Sequence, residues 1–146
     1  MTAATVEFGS FDDFAAADTS DMNVVVNGKI TDWVWTFAGP GHPQTVAQND
    51  RIARDSMHEE RKLREQQLNG RKVKLPEDTV DERRKKNIDH VVERLVGWSP
   101  VKIGGADYPF TADNARALLS KPGNVALLTQ AFEWLADSAS FSKRSA

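Results

Sequence analysis

The chain has 146 residues, a length that suits one domain with an appendage, and its hydrophobic fraction of 40% includes four Trp and seven Phe, enough for a modest core. It contains no cysteine, which excludes disulfides, thiolate catalysis and cysteine-based zinc sites. The net charge of -2 hides an asymmetry: Glu7, Asp12, Asp13, Asp18 and Asp21 all precede the first basic residue, Lys29, whereas Lys and Arg outnumber Asp and Glu across 51–86. The N-terminus carries neither a basic region nor an apolar run, so no signal peptide is expected, and no stretch of about eighteen apolar residues offers a membrane span.

Residues 1–21 read as an acidic arm in which Phe8, Phe11 and Phe14 recur every third position. A wholly disordered tail is normally poor in aromatics, so the rings either pack on the domain's own surface or anchor a partner, with Asp12 and Asp13 as a polar rim. The remainder, 22–146, reads as one α+β domain: a β-hairpin at 22–37 packed against about four helices. Asn27-Gly28 predicts a type I′ turn, because both central positions need positive φ. That turn places Val26 opposite Lys29, Val25 opposite Ile30, Val24 opposite Thr31 and Met22 opposite Trp33. Met22, Val24, Val26, Trp33, Trp35 and Phe37 then share one face, the face expected to be buried.

Gly39-Pro40-Gly41-His42-Pro43 breaks the strand and opens a long charged helix over about 44–69, with Gly70 where a C-terminal cap belongs. Its apolar residues Val46, Ile52, Met57, Leu63 and Leu68 form only a thin stripe. Such a helix projects into solvent or meets another chain, and Met57, Arg61 and Arg64 are its expected contact residues. After a basic linker, Arg71 to Pro76, a helical scaffold spans 79–137. Thr79 and Glu82 match a capping box, Ile88, Val91, Val92 and Leu95 face the core, and Gly97 is expected to end that helix. Gly104-Gly105 marks a small turn, Thr111 caps a third helix, and Val125, Leu128, Phe132 and Leu135 line a fourth.

Chemistry-bearing patterns are sparse. His42, His58 and His90 lack metal-ligand spacing, and Lys62 stands where a zinc-protease helix would carry its second His. His42 reads better as part of the helix entry. Gly104-Gly105 lacks a phosphate-loop pattern, and the Asp12-Asp13 pair has nothing to hold it at a catalytic separation. Arg83-Arg84-Lys85-Lys86 spreads around a helix instead of forming one phosphate-tracking stripe, and acids flank it; nucleic acid is therefore disfavoured as a partner. The expectation is a non-enzymatic protein without cofactor or metal that acts by binding proteins.

Gly97-Trp98-Ser99-Pro100-Val101, followed by Tyr108-Pro109-Phe110-Thr111-Ala112-Asp113-Asn114-Ala115-Arg116-Ala117-Leu118-Leu119, resembles the C-terminal half of small tail-assembly proteins of siphophages and prophages. The resemblance covers roughly Asn87 to Phe141. It marks Trp98, Phe110, Thr111, Asn114, Leu118 and Leu119 as a scaffold motif: Trp98 and Phe110 bracket a loop and can pack together, Thr111 caps, and Leu118-Leu119 close the core. It implies a tail-assembly chaperone that binds tape-measure or tube subunits in the host cytoplasm, and no catalytic positions. The arm and the long helix depart from the compact chaperone pattern, which leaves room for a permanent virion component (minor tail, connector or capsid-associated) linked into a homo-oligomer by its arm.

Overall fold

A computed structural model describes residues 5–70 and 78–142. Two long strands come first, β1 (Thr19–Val26) and β2 (Lys29–Ala38), then helix α1 (Pro43–Leu68) and helix α2 (Val80–Arg94). A third strand, β3 (Leu95–Trp98), leads to a two-residue-per-strand hairpin, β4 (Lys102–Ile103) and β5 (Ala106–Asp107). Helices α3 (Ala112–Ser120) and α4 (Val125–Ala136) complete the order. The class is α+β, an N-terminal antiparallel hairpin with four helices. The basic linker of the sequence reading, Arg71 to Pro76, lies outside the described residues.

Local chemistry explains most element ends. Asn27 (φ 51°) and Gly28 (φ 79°) form the positive-φ turn of the hairpin. Pro43 opens α1 and the His42 ring accepts from the Gln44 N–H at 3.2 Å, which gives His42 its role at the helix entry. Gly70 (φ 67°) follows the last turn in the left-handed region. Thr79 and Glu82 satisfy each other's backbone N–H groups at the start of α2.

The hairpin register departs from the expected one. Val26 pairs with Lys29 and Val25 with Ile30, but Asn23 pairs with Val34 and Met22 with Trp35, not Trp33. A bulge on β2 opposite Val24 absorbs two extra residues. Side chains hold it: the Thr31 hydroxyl donates to the Val24 carbonyl (2.6 Å), and Asn23 donates to the Thr31 carbonyl (3.1 Å). Because the slip is even, it leaves every side chain on its expected face. Met22, Val24, Trp35 and Phe37 are buried, while Val26, at the overhanging tip, is exposed.

Helix α2 also ends before Gly97, where it was expected to stop. The helix stops at Arg94, and Leu95–Trp98 is not its continuation to Gly97 but a third strand, antiparallel to β2, with Trp98 opposite Trp35. The free edge of β2 offers backbone partners that no local periodicity reveals. The sheet order is therefore β1-β2-β3. Strand β1 also begins at Thr19, so it takes the last three residues of the segment read as arm.

One face of the sheet meets α2, α3 and α4 in a single core of Met22, Val24, Trp35, Phe37, Ile88, Val91, Val92, Leu95, Ala115, Leu119, Leu128, Ala131 and Phe141. Of the expected α4 face, Leu128 is buried and Phe132 and Leu135 pack against the core, whereas Val125 faces out and Ala131 is buried in addition. Trp33, Trp35 and Trp98 pack with centroids 5.3–5.5 Å apart, and Trp98 continues onto Tyr108 (5.9 Å) and Phe110 (5.0 Å).

Candidate protein-binding surfaces

The outer edge of β1 is closed within the chain. The Gln130 amide, on α4, accepts from the Val25 N–H and donates to the Val25 carbonyl, both at 2.9 Å, so it pairs with the strand as a further peptide unit would. Ser20, further down β1, accepts from the Trp134 indole and donates to the Ser140 carbonyl. The hairpin edge is thus occupied by the protein's own C-terminal part, and the exposed surfaces lie elsewhere.

The first is the arm. Its root is fixed: the Ala17 N–H donates to the Phe141 carbonyl and the Gly39 N–H to the Asp18 carbonyl, each at 2.7 Å. A side chain at Gly39 would collide with the Ala17 carbonyl, so the close approach requires glycine. Beyond the root, Phe11–Phe14 is a 3-10 turn capped by Ser10 and Asp13, with the Asp13 carboxylate accepting from the Gly9 N–H (2.7 Å) and the Ser10 N–H (3.1 Å). Phe8 and Phe14 touch, centroids 4.5 Å apart, but neither packs into the core. Phe8 is 59%, Phe14 65% and Phe11 95% exposed. The rings are thus not buried on the domain's own surface, the first of the two readings; the described arm is a small folded knob with Phe11 its most exposed ring. Asp12 sits beside Phe11 in the same turn, and Asp13 spends its carboxylate on capping.

The second is α1, which has two regimes. In its first two turns Thr45 and Gln48 are buried. Gln44 donates to the Glu93 carbonyl, one of the last four of α2, which have no partner within the helix, and Gln48 donates to the His90 carbonyl one turn from that end, both at 3.1 Å. Glu93 gathers the rest, accepting from Gln48 (3.0 Å) and pairing with Arg51, whose pKa that contact raises. From Asn49 to Lys62 every residue is exposed. Met57, Arg61 and Arg64 share the side of the helix opposite Thr45 and Gln48, together with Val46 and Leu68, and all five are exposed.

The third surface, a groove, was invisible in the sequence. It has a volume of about 650 Å³ and lies between the base of α1, β3 and the start of α3. Val96 and Phe110 contribute apolar floor, and Arg51, Arg54 and Arg116 rim it against the single carboxylate of Glu93. Arg116 also pairs with Asp89 at 3.1 Å, whereas Arg54 bonds the Asp50 carbonyl and has no carboxylate partner among the described residues. Arg51 and Arg54 lie tens of residues from Val96 and from Arg116 in the chain, which is why no local pattern announced the groove.

Trp98, Phe110, Thr111 and Asn114 of the scaffold motif converge on the segment between β5 and α3. Trp98 stands on the Phe110 ring and donates its indole N–H to the Tyr108 carbonyl (3.1 Å). Thr111 accepts from the Asn114 N–H (3.0 Å), the Asn114 side chain donates to the Pro109 carbonyl (2.9 Å), and the Tyr108 hydroxyl donates to the Asn114 carbonyl (2.7 Å). Leu119 is buried and Leu118 partly so. These residues build a clamp on one loop and present no reactive group.

In a separate cleft between α1 and α2, His90 stacks on Phe132 at 5.5 Å, and burial there holds its pKa below the usual histidine value, with Arg94 adding to the effect. Among the basic run, Arg84 donates to the Ser120 carbonyl and Lys86 pairs with Asp78. Among the described residues no three His, Cys, Asp or Glu side chains gather as a metal site requires, and no helix is long and apolar enough to cross a membrane. No protein-family model matches the chain, and neither a curated protein nor a solved structure matches it.

Proposed function

We propose that this chain is a non-enzymatic, protein-binding factor of bacteriophage tail morphogenesis, acting as a tail-assembly chaperone through the outer face of α1. The observation that carries the binding part is the bare stretch of α1. Fourteen consecutive helical residues, Asn49 to Lys62, span about 21 Å without burying one side chain. Isolated helices of that length are marginal in water, and most helical stability comes from packing an apolar face. A partner that covers Met57 and pairs with Arg61 and Arg64 supplies the packing that the chain itself does not. The tail-assembly part is supported by the resemblance of the Trp98-to-Leu119 segment, and a tape-measure or tube subunit is the partner it implies. The ring-bearing folded arm favours a second reading, a permanent virion component, since a fixed knob suits a lasting contact.

The test is co-expression with the tape-measure and tube proteins of the same phage, followed by affinity capture. Wild type captures one of them; the combined change of Met57, Arg61 and Arg64 to Ala loses it while stability moves by no more than about 0.5 kcal/mol. Capture of no tail protein by the folded wild-type chain removes the proposal. Mass spectrometry of purified virions separates the two readings: a chaperone is absent from them, a structural component present in fixed proportion.

A further inference from the structure

We propose that two copies of this chain exchange arms, the knob of each seating in the groove between α1, β3 and α3 of the other. The two surfaces are complementary in charge. The arm carries Glu7, Asp12, Asp13 and Asp18 and no Lys or Arg, and of the groove's three arginines Arg51 pairs with Glu93 and Arg116 with Asp89, while Arg54 has no carboxylate partner among the described residues. They also match in polarity type: Phe11 is an almost fully exposed ring beside carboxylates, and the groove sets apolar Val96 and Phe110 inside a guanidinium rim. The knob is already folded by its Ser10–Asp13 cap, so docking costs little ordering entropy.

The chain's own groove does not hold its arm: no arm residue lines it, and Phe11 is 95% exposed. The arm leaves the body beside β1, where Ala17 and Asp18 are bonded to Phe141 and Gly39, whereas the groove opens beside β3, on the far edge of the sheet. A second copy is then the occupant, and the area decides the geometry. Three phenylalanines hide about 500 Å² of arm, so one docked arm buries on the order of 1,000 Å² in total, below the roughly 1,200–2,000 Å² of a stable interface. Reciprocal exchange about a two-fold axis doubles it and closes the assembly as a dimer. This goes beyond the tail-partner reading and stands without it, because it uses Phe11 and Arg54, not the Met57 face.

The experiment is sedimentation of the full chain at moderate salt, with circular dichroism confirming each fold. Wild type runs at twice its 16.2 kDa mass. Asp12→Lys and Arg54→Glu each run as monomers, since in either homodimer both contacts set like charge against like or lose their cation. An equimolar mixture of these two variants restores the dimer mass, because the basic arm meets the acidified groove and the wild-type arm meets the wild-type groove. Phe11→Ala is monomeric alone and in every mixture with itself. A monomeric wild type, a species larger than a dimer, unchanged dimerisation of either charge variant, or failure of the mixture to reassociate would each overturn the proposal. Loss of tail-protein capture with the dimer intact would bear only on the previous reading.

Discussion

Helices α1 and α2 lie side by side and are held by opposite means. Helix α2 buries Ile88, Val91 and Val92 in the core, so its attachment scales with apolar area and tolerates small changes of angle. Helix α1 is attached through Gln44, Gln48 and Arg51 to the end of α2, with only Thr45 and Gln48 buried. Hydrogen bonds of this sort are directional and contribute a net ~1 kcal/mol each. The body is thus a conventional apolar core, and α1 is a polar-mounted lever fixed at its base. A helix held this way can trade water for a partner along most of its length without disturbing the fold beneath it.

That contrast can be broken first in the core. Trp35→Ala removes a fully buried indole that contacts Trp33, Phe37 and Trp98, and should cost about 3–5 kcal/mol, read from urea denaturation. Trp35→Phe should cost far less, because the Trp35 indole N–H is buried with no partner among the described residues. Equal losses from the two variants would contradict this account of the core.

A smaller effect is expected at the mount. Gln48→Ala removes the bonds to the His90 carbonyl and to Glu93, at ~1–2 kcal/mol. Hydrogen exchange should speed up in α1 while β2 and α2 keep their protection. Uniform acceleration across the body would mean that α1 is part of the cooperative core after all.

The smallest effect is set by pH. Burial disfavours the charged His90 ring, so its folded pKa lies below the unfolded value near 6.5. Above that value the ring is neutral in both states and its contribution is complete. As the pH falls through 6.5 the unfolded chain takes up the proton first, and stability declines until the folded pKa is passed. The charged groups facing it are Arg94 and Arg51, which oppose its protonation, and Glu93, which favours it. The urea midpoint should therefore drop modestly between about pH 7.5 and about pH 5.5. His90→Gln should flatten that slope, and an unchanged slope would assign it to other groups.

Signals that act over a few residues were legible in the sequence. Asn27-Gly28, Thr79 with Glu82, Thr111, Pro43 and Gly70 each solve a local problem of φ or of an unpaired backbone group, and each does so where its pattern indicated. The aromatic face of the hairpin was legible too, and it survived a two-residue slip only because the slip was even. What escaped was non-local. The strand Leu95–Trp98 follows a clean helical stripe, and only the open edge of β2 turns it extended. Gln44 and Gln48 look like solvent residues until α2 brings its carbonyls to them. The exposed arm rings were foreseen as anchors or as surface packing, but their folding into a knob of their own depends on Asp13 reaching back to Gly9.

The sequence by itself determined the α+β class, the turn and cap positions, and which residues would be apolar on each element, because these follow from the conformational preferences and periodicity of neighbouring residues. The tertiary structure alone decided the third strand, the closing of the β1 edge by Gln130 and the gathering of Arg51, Arg54 and Arg116 around Val96 and Phe110. Those outcomes join groups tens of residues apart, and which unpaired backbone group or charge finds which partner is settled only when the whole chain has packed.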